Sequence, residues 1–128
     1  MDIDRAHPDA AALDRRDDAL EALLAALGGN RAARFNLAEQ LGKQKDELNL
    51  LLDTWQVFWR DVLLAASGSR ALLTNADYHD VIRDIADRVG VEGAETALKA
   101  TRRTLDYLGK NVNVRLALEV LLLDYPVP

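Results

Sequence analysis

The sequence predicts an all-α protein: a single bundle of about six helices with a long third helix at its centre. Leu and Ala dominate a chain that is 49% hydrophobic, and both enter helices at little entropic cost. Breakers are scarce, with 7 Gly and 3 Pro in 128 residues. Apolar residues recur at helical spacing almost throughout, and no run alternates with period two for long enough to make a strand. A chain of this length makes one domain and buries roughly two-thirds of its unfolded surface.

Taken in order, residues 1–9 read as a tail or boundary segment, polar and acidic with Pro8, and the helical domain spans 10–128. The first helix carries Leu13, Leu20, Leu23, Leu24 and Leu27 on one face, and Gly28-Gly29 ends it. Asn30 caps the second, where Ala33, Leu37, Ala38 and Leu41 align before Gly42. The third carries a continuous stripe through Leu48, Leu51, Leu52, Trp55, Phe58, Trp59, Val62, Leu63 and Ala66. Leu50, Val57 and Leu64 form another stripe, so this helix is expected to be covered on two sides.

Ser67-Gly68-Ser69 opens a loop, and Thr74-Asn75-Ala76-Asp77 resembles a capping box with Asp in place of Glu or Gln. Tyr78, Val81, Ile82, Ile85, Ala86 and Val89 mark a fourth helix that Gly90 breaks. Ala94, Ala97, Leu98, Thr101, Leu105 and Leu108 mark a fifth, ending near Gly109. Asn113 caps a last helix, 114–123, that is apolar nearly all round and therefore expected to be buried; Pro126 and Pro128 stop it.

Little in this pattern supports bond-making chemistry. Gly68-Ser69-Arg70 lacks the Gly-Lys-Ser/Thr ending of a phosphate-binding loop. The absence of Cys excludes a disulfide scaffold and a thiolate metal site and suits a cytoplasmic protein. The histidines are His7, which pairs in spacing with Asp4 in the tail, and His79, a surface residue near a helix start. No Glu-x-x-His pair exists for a di-iron bundle, and Asp80 and Asp84 read as a solvated face. No catalytic residue, cofactor or metal is expected. The most apolar stretch, 48–66, is interrupted by Asp53, Arg60 and Asp61, so no membrane span or membrane partner is expected.

Two features point to macromolecular partners. Ala86-Asp87-Arg88-Val89-Gly90-Val91 has the spacing of a helix-turn-helix elbow, which would make Ile85–Arg103 a DNA-binding unit. Glu92 and Glu95 at the start of the following helix would repel phosphates, and a chain of net charge -5 is a poor general binder of nucleic acid. The other feature is the pair Trp55 and Trp59, one turn apart, which serves either core packing or a subunit interface. Lys99, Arg102, Arg103, Lys110 and Arg115 gather in the C-terminal part, where some could pair with an acidic neighbour.

The run from Asn111 to Glu119 reads Asn-Val-Asn-Val-Arg-Leu-Ala-Leu-Glu and is followed by Val-Leu-Leu-Leu. It resembles the last-helix signature of the C-terminal domains of bacterial DNA polymerase III clamp-loader subunits, Asn-x-Asn-Pro-Arg-Leu-Ala-Leu-Glu. Arg31-Ala-Ala-Arg-Phe-Asn-Leu-Ala-Glu-Gln-Leu and the Trp-rich segment from Leu50 to Leu64 resemble the second and third helices of the delta-prime collar domain, and Leu73-Thr-Asn-Ala-Asp its following loop. The gamma/tau collar is the second choice. Val114 replaces the family's Pro, which removes preorganisation but keeps the Asn113 cap. The resemblance implies a non-catalytic collar domain that joins the other clamp-loader subunits in a ring, within an assembly that loads the sliding clamp onto primed DNA. It implies no direct nucleic-acid contact by this domain. Asn111, Asn113, Arg115 and Glu119 are its signature residues. The ATPase region that precedes such a collar is not in this sequence, which is therefore expected to be a fragment.

Overall fold

The computed structural model describes the backbone of residues 8–110 and 112–128, with side chains from Asp14 onward. Five α-helices follow in order: α1 (Pro8–Gly28), α2 (Arg31–Gly42), α3 (Lys45–Ala66), α4 (His79–Leu108) and α5 (Val114–Asp124). A single 3₁₀ turn, Ala76–Tyr78, leads into α4. No strand occurs among the described residues.

The helix ends follow local chemistry. Asn30 caps α2, its side chain accepting the Ala33 N–H at 2.9 Å. Pro8 opens α1 rather than standing outside it, since the first helical position has no use for the missing N–H. Residues 1–7 of the expected tail lie outside the described residues. The expected fourth and fifth helices are the two arms of α4, which meet directly at Gly90. The break itself is present: Gly90 has φ 68° and ψ -176°, a region essentially confined to glycine, inside an otherwise helical run. One non-helical residue kinks α4 without a connecting loop.

The core is one cluster centred on α3, whose Leu48, Leu52, Trp55, Phe58, Trp59 and Val62 are buried. Leu20, Leu23 and Leu27 of α1 meet it, as do Ile82, Ala94, Ala97 and Leu98 of α4 and Leu118, Leu121 and Leu122 of α5. Each large aromatic removes about 150–250 Å² from water, roughly 4–6 kcal/mol of hydrophobic driving force at about 25 cal/mol per Å². The Trp55 indole N–H donates to the Ala19 carbonyl at 2.7 Å, tying α3 to α1. Tyr125, just past α5, closes the cluster, with its ring 6.0 Å from that of Trp55 and 5.3 Å from that of Trp59.

Tyr125 also has a polar task. Thr101 donates its hydroxyl proton to the Ala97 carbonyl at 2.8 Å, so the Tyr125 phenol, 2.6 Å away, is the donor to Thr101 Oγ1. Burial pushes this phenol well above its ordinary range, and burial with an acceptor bond from Asp17 pushes Tyr78 up to about 12. Both phenols stay protonated in the folded chain while unfolded tyrosine ionises near pH 10. Stability is therefore fully present below about pH 10 and is lost as pH rises beyond it. Tyr125→Phe is expected to cost about 1 kcal/mol at neutral pH. It should also flatten the alkaline fall in a pH series of urea melts. An unchanged slope would remove Tyr125 as its source.

Two buried charged residues organise the loops. Asp61 of α3, 1% exposed, accepts the backbone N–H of Thr74 at 2.9 Å, that of Asn75 at 2.8 Å and the Asn75 side-chain amide at 2.9 Å. The capping box expected at Thr74 does not form, because this carboxylate reaches the loop from the core and takes over its donors. Arg34 of α2, 5% exposed, donates to the carbonyls of Ala26 (3.0 Å), Leu122 (2.7 Å), Tyr125 (2.9 Å) and Pro126 (3.0 Å). Its positive charge lies where the last turns of α1 and α5 expose their carbonyls, the negative ends of both helix dipoles. Burial lowers its pKa from the ordinary value. At the opposite end, Arg16 joins α1 to the 3₁₀ turn by pairing with Asp77, whose carboxyl it holds below the usual range, and by lying over the Tyr78 ring at 5.5 Å.

Candidate assembly surface

Helix α5 is set up by its first residue pair. Asn113 takes extended backbone angles, its carbonyl accepts the Ala117 N–H at 3.0 Å, and its side chain accepts the Leu116 N–H at 3.1 Å. The cap read from the sequence is thus formed even with Val114 where the family signature has Pro. Asn113→Ala should lower stability by about 1 kcal/mol in thermal or urea unfolding. An unchanged melting temperature would show the cap to be idle.

From that start, α5 turns Leu118, Leu121 and Leu122 inward, all at most 1% exposed. Three further apolar side chains stay open: Leu116 is 55% exposed, Val120 46% and Leu123 43%. The expectation of a fully buried last helix is corrected here. The helix lies against α2 and α4 on one side, and no other element among the described residues covers the far side. Positions 116, 120 and 123 are spaced by four and three residues, so they line up as a ridge.

Beside this ridge runs a groove of about 220 Å³ between the end of α4 and the start of α5, lined by Tyr107, Val112, Leu116 and Val120. Arg103 lines it too and pairs with Asp124 at 2.9 Å across the two helices. Arg115 is exposed and pairs with Glu119 one turn along α5 at 3.1 Å, so its charge stays on its own helix. Asn111 lies outside the described residues.

A second apolar depression, of about 420 Å³, opens between α1, α2 and α3. Leu37, Leu41, Leu50 and Leu51 line it, with Arg15, Arg16, Asp18 and Glu47 also on its walls. Leu50 is 56% exposed, and Val57 and Leu64 are half-buried, so the second stripe of α3 is only partly covered by the folded chain. Trp55 and Trp59 take no part in either surface. Both are 0% exposed, the core-packing role weighed for them above.

Among the described residues, the polar side chains do not converge on a reacting centre. His79 pairs with Asp80 at 3.3 Å on the surface, and Arg88 with Asp84 at 3.3 Å. Among the described residues, no group of three or more His, Cys, Asp or Glu side chains is placed to hold a metal ion. None of their helices is long and apolar enough to cross a membrane. A helix-turn-helix joins its helices through a turn of three or four residues, whereas here Gly90 alone separates the two arms of α4. The second arm starts with Glu92 and Glu95 exposed. Nothing in this geometry supports DNA reading by residues 85–103.

Arg34 and Asp61 are the functional-looking residues that periodicity overlooked. Both occupy inward positions, Arg34 in register with Ala38 and Leu41, and Asp61 next to Phe58 and Val62. A charge on an apolar stripe was the available signal.

The family model described as DNA polymerase III, delta subunit, C terminal, matches residues 10–125. The chain belongs to this family. The match takes in all five helices apart from the first residues of α1. It names the delta subunit where the sequence resemblance pointed to delta-prime; clamp-loader membership is common to both readings. Comparison with curated proteins gives no match, and comparison with solved structures gives none either.

Proposed function

We propose that this chain is a non-catalytic assembly domain that joins the other DNA polymerase III clamp-loader subunits in a collar-like ring in the cytoplasm, without touching nucleic acid itself. The observation that carries the reading is the apolar ridge of α5, open to solvent on a helix whose opposite face is fully buried. A contiguous apolar surface of this kind marks a protein-protein contact. Arg34, the Asn113 cap and the aromatic cluster all hold the buried side of α5 in place, so the ridge is presented on a rigid support.

The test mixes the purified chain with the other clamp-loader subunits and follows complex formation by size exclusion with light scattering. Association at micromolar concentrations is the expected result, and its absence would overturn the assembly role. For subunit identity, the Trp-rich third helix, 50–64, favours delta-prime over gamma/tau. An assembly lacking delta-prime should take up this chain, and one lacking only delta should not. The opposite outcome would make delta the answer, as the family description reads.

A further inference from the structure

Helices α2 and α5 run antiparallel and are joined at both ends. At one end, Arg34 near the start of α2 holds the carbonyls of Leu122, Tyr125 and Pro126, where α5 finishes. At the other, Gly42 closes α2 against the start of α5. A Cβ placed on Gly42 would lie 3.6 Å from the Arg115 Cβ, so the backbones approach closely there. Directional bonds at one end and close approach at the other make the two helices rigid with respect to each other.

Their attachment to α3 and α4 is uneven. Where α5 finishes, it is pinned: the Tyr125 ring lies against Trp55 and Trp59, its phenol is 2.6 Å from Thr101 Oγ1, and Asp124 pairs with Arg103. Toward the opposite end both flanks are hollow. The depression of about 420 Å³ lies between α3 and the part of α2 from Leu37 onward. The groove of about 220 Å³ lies between the last turns of α4 and the part of α5 from Leu116 to Val120. Open space offers no partner atoms, so displacement along these flanks forfeits little dispersion energy. Ala38 and Leu118 still seat the pair on the core, through apolar contact that has no preferred direction.

We propose that the α2–α5 pair is a lever built into the fold. It tilts as one body about the Tyr125 end, and the depression and the groove change width together. Whatever fills one cavity is therefore felt at the other, although the two lie on different helices. Leu116 and Val120 ride on the moving half, so the tilt also re-aims the open ridge of α5. That last consequence rests on the assembly reading, whereas the tilt itself is measured on this chain without any other subunit.

The experiment measures distances between pairs of spin labels by double electron–electron resonance. The chain has no native cysteine, so labels attach only where cysteines are introduced. One pair, Gln40→Cys with Leu50→Cys, spans the depression, and another, Tyr107→Cys with Leu116→Cys, spans the groove. A reference pair, Arg102→Cys with Leu123→Cys, uses exposed positions beside the pivot. Ala22→Leu then adds bulk to the wall of the depression alone. Both spanning distances should shift, by about 1–2 Å as is usual for helix displacements, while the reference distance stays fixed. Ala117→Leu, on the α5 wall of the groove, is the second variant and should give the same paired shifts. Circular dichroism melts verify that each variant folds. A shift across the filled cavity alone would show that one helix moves without the other and overturn the lever. Equal movement of the reference pair would remove the pivot, and fixed distances everywhere would show a rigid body; either result overturns the proposal while leaving the assembly role standing. Failure of the chain to join other subunits would remove that role and leave the lever untouched.

Discussion

Arg34→Ala is expected to lower the unfolding free energy by about 4 kcal/mol, the largest effect of any single change considered for this chain. The side chain satisfies carbonyls in three separate places: the end of α1, the last turn of α5, and the segment after it. Truncation leaves those oxygens in a site that water does not freely enter and adds a cavity where the guanidinium was. A fall in melting temperature on the order of 10–15 °C should follow for a domain of this size. Arg34→Lys should recover less than half of the loss, because an ammonium lacks the planar fork that reaches four acceptors at once. Scanning calorimetry of the three proteins checks this, and a lysine variant as stable as the parent would mean that charge alone, not the fork, holds the junction.

Asp61→Ala should cost about 3 kcal/mol, with a different signature. Its carboxylate takes three donors from a loop with few other backbone bonds. Loss of it leaves the Thr74 and Asn75 N–H groups without an acceptor at the entry to α4. Amide exchange at those two positions should therefore accelerate far more than exchange in α3 itself. Asp61→Asn keeps one acceptor oxygen but turns an NH₂ toward an N–H donor, so it should still cost about 2 kcal/mol. Equal protection of the Thr74 and Asn75 amides in parent and alanine variant would show that something other than Asp61 orders this loop.

These two residues also mark where sequence reading stops. Helix ends are local events, and the marks of Gly28, Asn30, Gly42, Gly90 and Asn113 were all legible, because each acts on backbone within a few residues. The main α3 stripe was legible for the same reason: burial on one face leaves a period in the chain. Arg34 is different. Its partners on α5 and beyond lie 88 to 92 residues away, so its role exists only once α2 and α5 are side by side. Asp61 binds a loop 13 and 14 residues on, a distance over which no helical register holds. The open face of α5 was hidden for another reason. Periodicity reports that a surface is apolar but not what covers it, so a ridge held for a partner and a ridge held for the core look alike in a sequence. The doubled stripe of α3 hid the exposure of Leu50 in the same way.

The placement of Tyr125 gives the molecule a built-in optical gauge. The chain has only two tryptophans, and both lie in ring contact with this one phenol at the base of α5. Ultraviolet emission and near-ultraviolet dichroism will therefore register any lifting of the last helix from α3, without an added dye or label. Because the two indoles are sealed inside, a neighbour binding the outer face of α5 should leave that signal unchanged unless it also pries the helix loose.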